Sequence, residues 1–285
     1  MLNKIKFFEV LFKPFYQGLR FWPFTVKFIR HPIYKQAQFF YSKHFSHYYN
    51  FEKLILTKDN FEIYCQGNRG SVEMELLMSR DYEPEISKHI LDNLKDTKYF
   101  LDIGANIGFY SLLVAKRRPE IKIISFEPVR ETFDRLIKNI KKNNFTNITA
   151  HNIGLANENT RRDIFLTTEL GHNSFLSNSN LVEKVLVKKT DDFLVLKDKK
   201  IFIKIDTEGY EFEVIKGMEE LLKNNACQIV FEFTPKFYRK FYQDDHAPAK
   251  LLSFLEQRNF QITFLDFFGA ENRGEQFMVW ARNKN

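Results

Sequence analysis

Three observations predict an α/β fold built on a doubly wound, mostly parallel sheet with helices on both faces. From residue 97 onward, short apolar runs alternate with amphipathic stretches of helical spacing. Five of those runs are continuously apolar, as expected of parallel strands covered on both sides. Two of them end in turns carrying acids and glycine, Asp102–Gly108 and Asp206–Gly209, and each turn leads straight into a helix.

The elements follow in order. Residues 1–50 read as helical pieces broken near Pro14, Pro23 and Pro32. Phe51–Thr57 and Phe61–Gln66 alternate apolar and polar residues around Lys58-Asp59-Asn60, which predicts a β-hairpin. A helix is expected from Pro84, with Glu83 and Glu85 in its first turn and Ile86, Ile90, Leu91 and Leu94 on its apolar face. The five strands are Tyr99–Ile103, Ile121–Phe126, Ile148–Asn152, Ile201–Asp206 and Ile229–Phe233, with helices near Phe109–Arg117, Glu131–Lys142 and Tyr210–Lys223. Residues 155–195 read as an irregular excursion with strand-like Asp163–Thr168 and Val185–Lys189. The tail predicts a helix near Ala249–Arg258 and strands at Gln261–Asp266 and Gln276–Arg282, an antiparallel end to the sheet. The organisation is thus an arm (1–50), a hairpin-and-helix module (51–96) and a sheet domain (97–285).

At 285 residues and 44% hydrophobic content the chain can bury a full core, which excludes disordered and disulfide-framework classes. Its net charge of +7 resides in residues 1–50, which hold eight bases against Glu9 alone, while the remainder is neutral. The same segment carries 16 of the 46 aromatic residues. It can pack on the sheet domain or a second subunit, lie on an anionic membrane surface, or bind single-stranded nucleic acid. Charges interrupt it too often for a bilayer span, and it lacks a signal-peptide pattern. Cys65 and Cys227 are far apart and outside any CxxC, which fits a reducing compartment and gives no zinc signature. The expected location is the cytoplasm, with peripheral contact at the inner face of a membrane if the arm binds lipid.

The turn after the first strand reads Asp102-Ile103-Gly104-Ala105-Asn106-Ile107-Gly108, a D-x-G-x-N-x-G spacing, not the G-x-G-x-x-G of a dinucleotide site. A pyrophosphate favours a helix N-terminus, whereas an acid in the loop suits a cofactor with cationic groups. S-adenosylmethionine, with its sulfonium and α-ammonium, is the expected cofactor, and Asp102 is the acceptor for the ammonium. Glu127-Pro128 ends the second strand, where an acid accepts from ribose hydroxyls. Asn152 ends the third, near an adenine edge. The fourth carries Lys204 and Asp206 on one face, followed by Glu208 and Glu211, and Glu232 ends the fifth. Carboxylates at such a crevice can orient a hydroxyl or take its proton. His172 and His246 lie in polar segments, and no dense ligand cluster points to a metal.

These residues resemble the FkbM family of S-adenosylmethionine-dependent methyltransferases, a branch of the class I methyltransferases. The resemblance runs through Tyr82-Glu83-Pro84-Glu85, FLDIGANIGFY (Phe100–Tyr110), SFEP (Ser125–Pro128), NIGLANEN (Asn152–Asn159) and IKIDTEGYEFEVIKGM (Ile203–Met218), covering about residues 80–265. It implies a seven-stranded Rossmann-like fold and methyl transfer, commonly to a hydroxyl of a sugar, glycan or natural-product scaffold. By resemblance, Asp102, Gly104, Asn106 and Gly108 match the loop around the methionine portion, Glu127 the ribose acid, and Asp206 and Glu208 the motif after strand four. The candidate cofactor-binding set is therefore Asp102, Gly104, Ala105, Asn106, Gly108, Glu127, Pro128, Asn152 and Asp206. The candidate catalytic set is Asp206, Glu208 and Glu232, with Asp206 the first choice of base, Glu232 the second, and no metal. The chain has no Asn/Asp-Pro-Pro-aromatic motif and no Pro-Cys pair, which disfavours nucleic-acid methylation. Two alternatives stand beside this one: a non-catalytic cofactor-binding adaptor recruited through the arm, and an NAD-dependent oxidoreductase.

Overall fold

Alternation along the hairpin places Ile55, Phe61, Ile63 and Cys65 on one face, and in the computed structural model all four are buried. The structure describes residues 51–66, 71–166, 181–265 and 277–283; the aromatic-basic arm and His172 lie outside them. Strands β1 (Lys53–Leu56) and β2 (Glu62–Cys65) pair antiparallel. Helix α1 (Ser71–Ser79) follows, without a counterpart in the sequence reading, and then α2 (Pro84–Asp92). Glu83 is not in the first turn of α2 as expected; it is the N-cap, in a left-handed conformation.

The sheet domain then runs β3 (Tyr99–Ile103), α3 (Phe109–Arg117), β4 (Lys122–Phe126), α4 (Arg130–Lys142) and β5 (Ile148–His151). Next come β6 (Gly154–Ala156), β7 (Thr160–Leu166), β8 (Leu181–Lys189) and α5 (Thr190–Phe193). The chain continues through β9 (Lys200–Ile205), α6 (Glu211–Lys216), α7 (Glu219–Lys223), β10 (Ala226–Phe233), α8 (Pro235–Tyr242), α9 (Ala247–Glu256), β11 (Phe260–Leu265) and β12 (Phe277–Asn283). The main sheet has seven strands in the order β11-β12-β10-β9-β3-β4-β5. Pairings among β10, β9, β3, β4 and β5 are parallel, and β12 runs antiparallel to both β10 and β11. This is the Rossmann-like class I architecture expected from the sequence.

The alternation of side chains across the sheet divides the core in two. On one face Phe100, Phe202 and Val230 join Ile86, Ile90, Leu112, Leu113 and the hairpin residues. On the other, Leu101, Ile103, Ile203, Ile205 and Phe231 pack with Val214, Ile215, Leu251 and Leu255. The hairpin-and-helix module therefore shares a core with the sheet domain. Its attachment is also polar: Asn139 of α4 and the C-cap Asn143 accept from the backbone amides of Tyr64 and Glu62, respectively, at 2.8 Å, covering an otherwise open strand edge. A buried fork pairs Arg135 of α4 with Glu73 of α1.

Two expectations are corrected. The 155–195 excursion is not irregular where it is described: β6, β8 and β7 form a three-stranded sheet whose Leu155, Ile164, Val185 and Val187 enter the core. The single helix expected over Tyr210–Lys223 is two, α6 and α7, broken at Gly217 and Met218. A Cβ on Gly217 would fall on the carbonyl oxygen of Ala156 in β6. Asp191 of α5 then caps the second piece, accepting from the Glu220 and Leu221 amides at 3.0 and 2.9 Å. The break is what lets β6 approach the helix layer.

Candidate active site

In a doubly wound sheet a ligand crevice lies beyond the C-terminal ends of the strands. Here four adjacent parallel strands, β4, β3, β9 and β10, each bring a carboxylate there: Glu127, Asp102, Asp206 and Glu232. Asp102 and Lys204 are register partners on neighbouring strands, so their side chains share a face, and Asp206 returns to that face two residues on. Lys204 Nζ bonds Asp206 Oδ2 at 3.0 Å and lies 4.5 Å from the Tyr110 ring centroid. Burial pulls the Lys204 pKa down, yet Asp206, Asp102 and Glu83 together hold it above the ordinary lysine value.

Asp102 is 1% exposed, and its Oδ2 accepts from the Ser111 hydroxyl at 2.5 Å. Burial raises its pKa, with Lys204 and Ser111 opposing. Its Oδ1 has no hydrogen-bond partner among the described residues, and a buried carboxylate oxygen left so is unusual.

The glycine loop is held by its own neighbours. The amides of Gly104 and Ala105 both donate to the Phe126 carbonyl, at 3.0 and 2.9 Å. The Asn106 amide donates to Glu127 Oε2 at 3.0 Å, that of Ile107 to the Asn106 side chain at 2.8 Å, and that of Gly108 to the Ala105 carbonyl at 2.9 Å. Gly104 has φ +78, and a Cβ there would meet the Asp206 carbonyl oxygen, so β3 and β9 can converge only over glycine. With these amides engaged, the loop does not present the open N–H cradle that a pyrophosphate needs.

Glu127 is buried, accepting from the amides of Asn106 and, at 3.0 Å, Val129; burial pushes its pKa up to about 7 against those bonds. Asn152 donates to the carbonyls of Glu127 and Pro128 at 2.9 Å, bracing the turn that carries the acid. Beyond Asp206 the chain turns through Glu208 (φ 53) and Gly209. Glu211 fixes that turn: Oε1 accepts from the Thr207 amide and hydroxyl and the Gly209 amide at 3.0–3.1 Å, and Oε2 from the Tyr238 hydroxyl at 2.7 Å. Glu232 accepts from the Thr234 hydroxyl at 2.9 Å, and burial, with the charges of Asp206, Glu208 and Glu211, pushes its pKa up to about 8. His246 is exposed at the N-cap of α9, its amide bonded to Asp244. Among the described residues no group of three or more His, Cys, Asp or Glu is placed to hold a metal ion.

Sequence reasoning missed Glu83, whose Oε2 accepts from the Tyr110 hydroxyl at 2.6 Å in the field of Asp206. Burial pushes its pKa up to about 7. Its place before Pro84 carries the signature of a helix N-terminus, which conceals the second use. Lys204 was legible as a facing residue but not as the ion-pair partner of Asp206.

The donor set fits a cationic methyl donor. Among the described residues, a buried acid with an unpaired oxygen can meet an ammonium, an acid fixed by the loop can meet ribose hydroxyls, and the carboxylates outnumber the one lysine beside them.

The same excess of acids sets a pH dependence. Glu83 and Glu127 keep their protons in the folded state to about pH 7 and Glu232 to about pH 8, against an ordinary value of 4.5. Their stabilising contribution is full below pH 4.5 and lost as pH rises through 7 to 8. His89 and His151, lowered by burial, act oppositely, but only below their ordinary value of 6.5. The ligand-free protein is thus expected to melt at a lower temperature at about pH 8.5 than at about pH 6.5, and S-adenosylmethionine to flatten that slope. Thermal scans across pH with and without the cofactor check both.

A profile of the family described as "Methyltransferase FkbM domain" matches residues 102–262. Methyltransferase 1 of Beauveria bassiana is 25% identical over 235 residues, covering 74% of this chain and 90% of its own. A hexuronic acid methyltransferase of Haloferax volcanii is 28% identical over 152 residues, 52% of this chain and 61% of its own. Among solved structures, precorrin-6y C5,15-methyltransferase from Geobacter metallireducens superposes with a TM-score of 0.43 at 16% identity, covering 75% of this chain and 94% of its own.

Proposed function

The chain belongs to the FkbM family of S-adenosylmethionine-dependent methyltransferases, and from that premise we propose that it is an O-methyltransferase acting on a hydroxyl of a sugar, glycan or natural-product scaffold. S-adenosylmethionine, when bound, supplies an activated methyl group whose sulfonium leaves as a neutral thioether. The chain's task is to align the acceptor oxygen, exclude water and receive a proton.

The observation that carries this reading is the pairing of acids at the ends of β9 and β10, Asp206 and Glu232, which lie in one another's field at the strand ends, where an ionised carboxylate can accept a hydroxyl proton. Asp206, the first choice from sequence alone, has one oxygen committed to Lys204. We therefore assign the ionised form of Glu232 as the group that would take the acceptor's hydroxyl proton, and Asp206 as the group that would orient the acceptor. Glu208 lies next to both, its charge acting on Glu232. Asp102, the Asp102–Gly108 loop, Glu127 with Pro128, and the Asn152 brace form the cofactor side. The resemblance to a relative named a hexuronic acid methyltransferase supports a sugar acceptor. The nicotinamide alternative loses ground to the engaged loop amides.

Incubation with methyl-labelled S-adenosylmethionine and a panel of free sugars, uronic acids, polyols and phenols tests the reading. Label in a base-stable methyl ether is the expected result. Label confined to a base-labile ester or to nitrogen would overturn it, and cofactor binding without transfer to any acceptor would favour the adaptor. Glu232→Gln is expected to lower kcat by about 10²- to 10⁴-fold with the cofactor Kd unchanged; stopped assays and calorimetry on the same preparation read both.

A further inference from the structure

Glu83 adopts φ 40 although it is neither glycine nor asparagine, a conformation that costs free energy and is retained where the surroundings impose it. It occupies the N-cap of α2 yet makes no side-chain capping bond. Its carboxylate bends away to the Tyr110 hydroxyl and into the field of Asp206, while Lys204, the cation that acts on it, is bonded to Asp206. A half-buried acid held beside other acids, with strain in its backbone and no capping bond, faces among the described residues only a lysine that it shares with Asp206, an arrangement that can meet a further positive charge.

Its neighbours say which charge. Glu83 and Asp102 act on the same lysine, and Tyr110 lies two residues beyond the glycine loop on α3. Glu208 acts, with Glu83 and Asp206, on the neighbouring Tyr82 hydroxyl, while Glu232 lies in the field of Asp206, Glu208 and Glu211. Tyr110 of α3, the helix that follows the glycine loop, ties Glu83 to the loop side of the crevice, where Asp102 Oδ1 has no partner among the described residues. We propose that Glu83 is a further donor-site residue, a second carboxylate that with Asp102 receives the α-ammonium of S-adenosylmethionine. The assignment rests on the cofactor occupying the Asp102–Gly108 loop. It gives the hairpin-and-helix module, which lies outside residues 102–262, a direct part in holding the methyl donor.

Calorimetry with three probes tests it: S-adenosylmethionine, S-adenosylhomocysteine and 5′-methylthioadenosine, which lacks the amino-acid group. Glu83→Gln is expected to weaken the first two by about 10- to 100-fold and to leave the third unchanged. Tyr110→Phe, which frees Glu83 without removing it, is expected to give the same pattern at about threefold to tenfold. Equal losses for all three probes would mean general damage to the pocket, and no loss for any would place Glu83 outside the donor site; either overturns the proposal. If the unaltered protein binds none of the three, the donor-site reading itself fails, and the assignment of Glu83 falls with it.

Discussion

Asp102→Ala is expected to abolish measurable S-adenosylmethionine binding, a loss of more than about 100-fold. The carboxylate is buried with one oxygen satisfied by Ser111 and the other without a partner among the described residues, so its removal takes away a preformed, desolvated partner for a cation and puts nothing in its place. Lys204 keeps Asp206, so the buried ammonium is not stranded and the fold should survive with a modest fall in melting temperature. Calorimetry on the folded variant separates the two effects. An unchanged affinity would remove Asp102 from the donor site, whatever becomes of the family assignment.

Gly104→Ala is expected to be the most destabilising single-methyl change at the site. The new Cβ would fall on the Asp206 carbonyl oxygen, and the residue would hold φ +78 without glycine's freedom. Overpacking and backbone strain together give about 3 kcal/mol or more, or a drop of roughly 10 °C in Tm for a domain of this size. Relief by separating β3 from β9 would move Asp102 relative to Asp206, so cofactor affinity should fall with stability. A variant that melts within a degree or two of the parent would show that the convergence of these strands is not as tight as the geometry states.

Much of the fold was legible because its signals are local. The run Tyr99–Ile103 and the helix Phe109–Arg117 appear at the expected residues, since a continuous apolar strand ending in a glycine turn has few other readings. The break at Gly217 had no such signal: its cause is the Ala156 carbonyl, some sixty residues away in sequence. The strand-like runs Asp163–Thr168 and Val185–Lys189 anticipated parts of β7 and β8, but not β6 or the register that orders the three as a sheet, which is a tertiary property. At the site, the acids of the strand ends could be named from spacing, but their division of labour could not. It turns on which carboxylate Lys204 bonds and on a backbone angle at Glu83 that places its side chain beside Tyr110.

The five consecutive amides from Gly104 to Gly108, each already donating to the protein, also bear on how ligands arrive. Such a loop has little conformational freedom left to lose, so association should be limited by encounter and desolvation, not by a slow ordering step. The methyl donor and its demethylated product would then exchange at a mould that stays the same shape throughout the cycle. Discrimination between them would fall to the methyl group and the positive charge it puts on sulfur, the latter read by a crevice lined with acids.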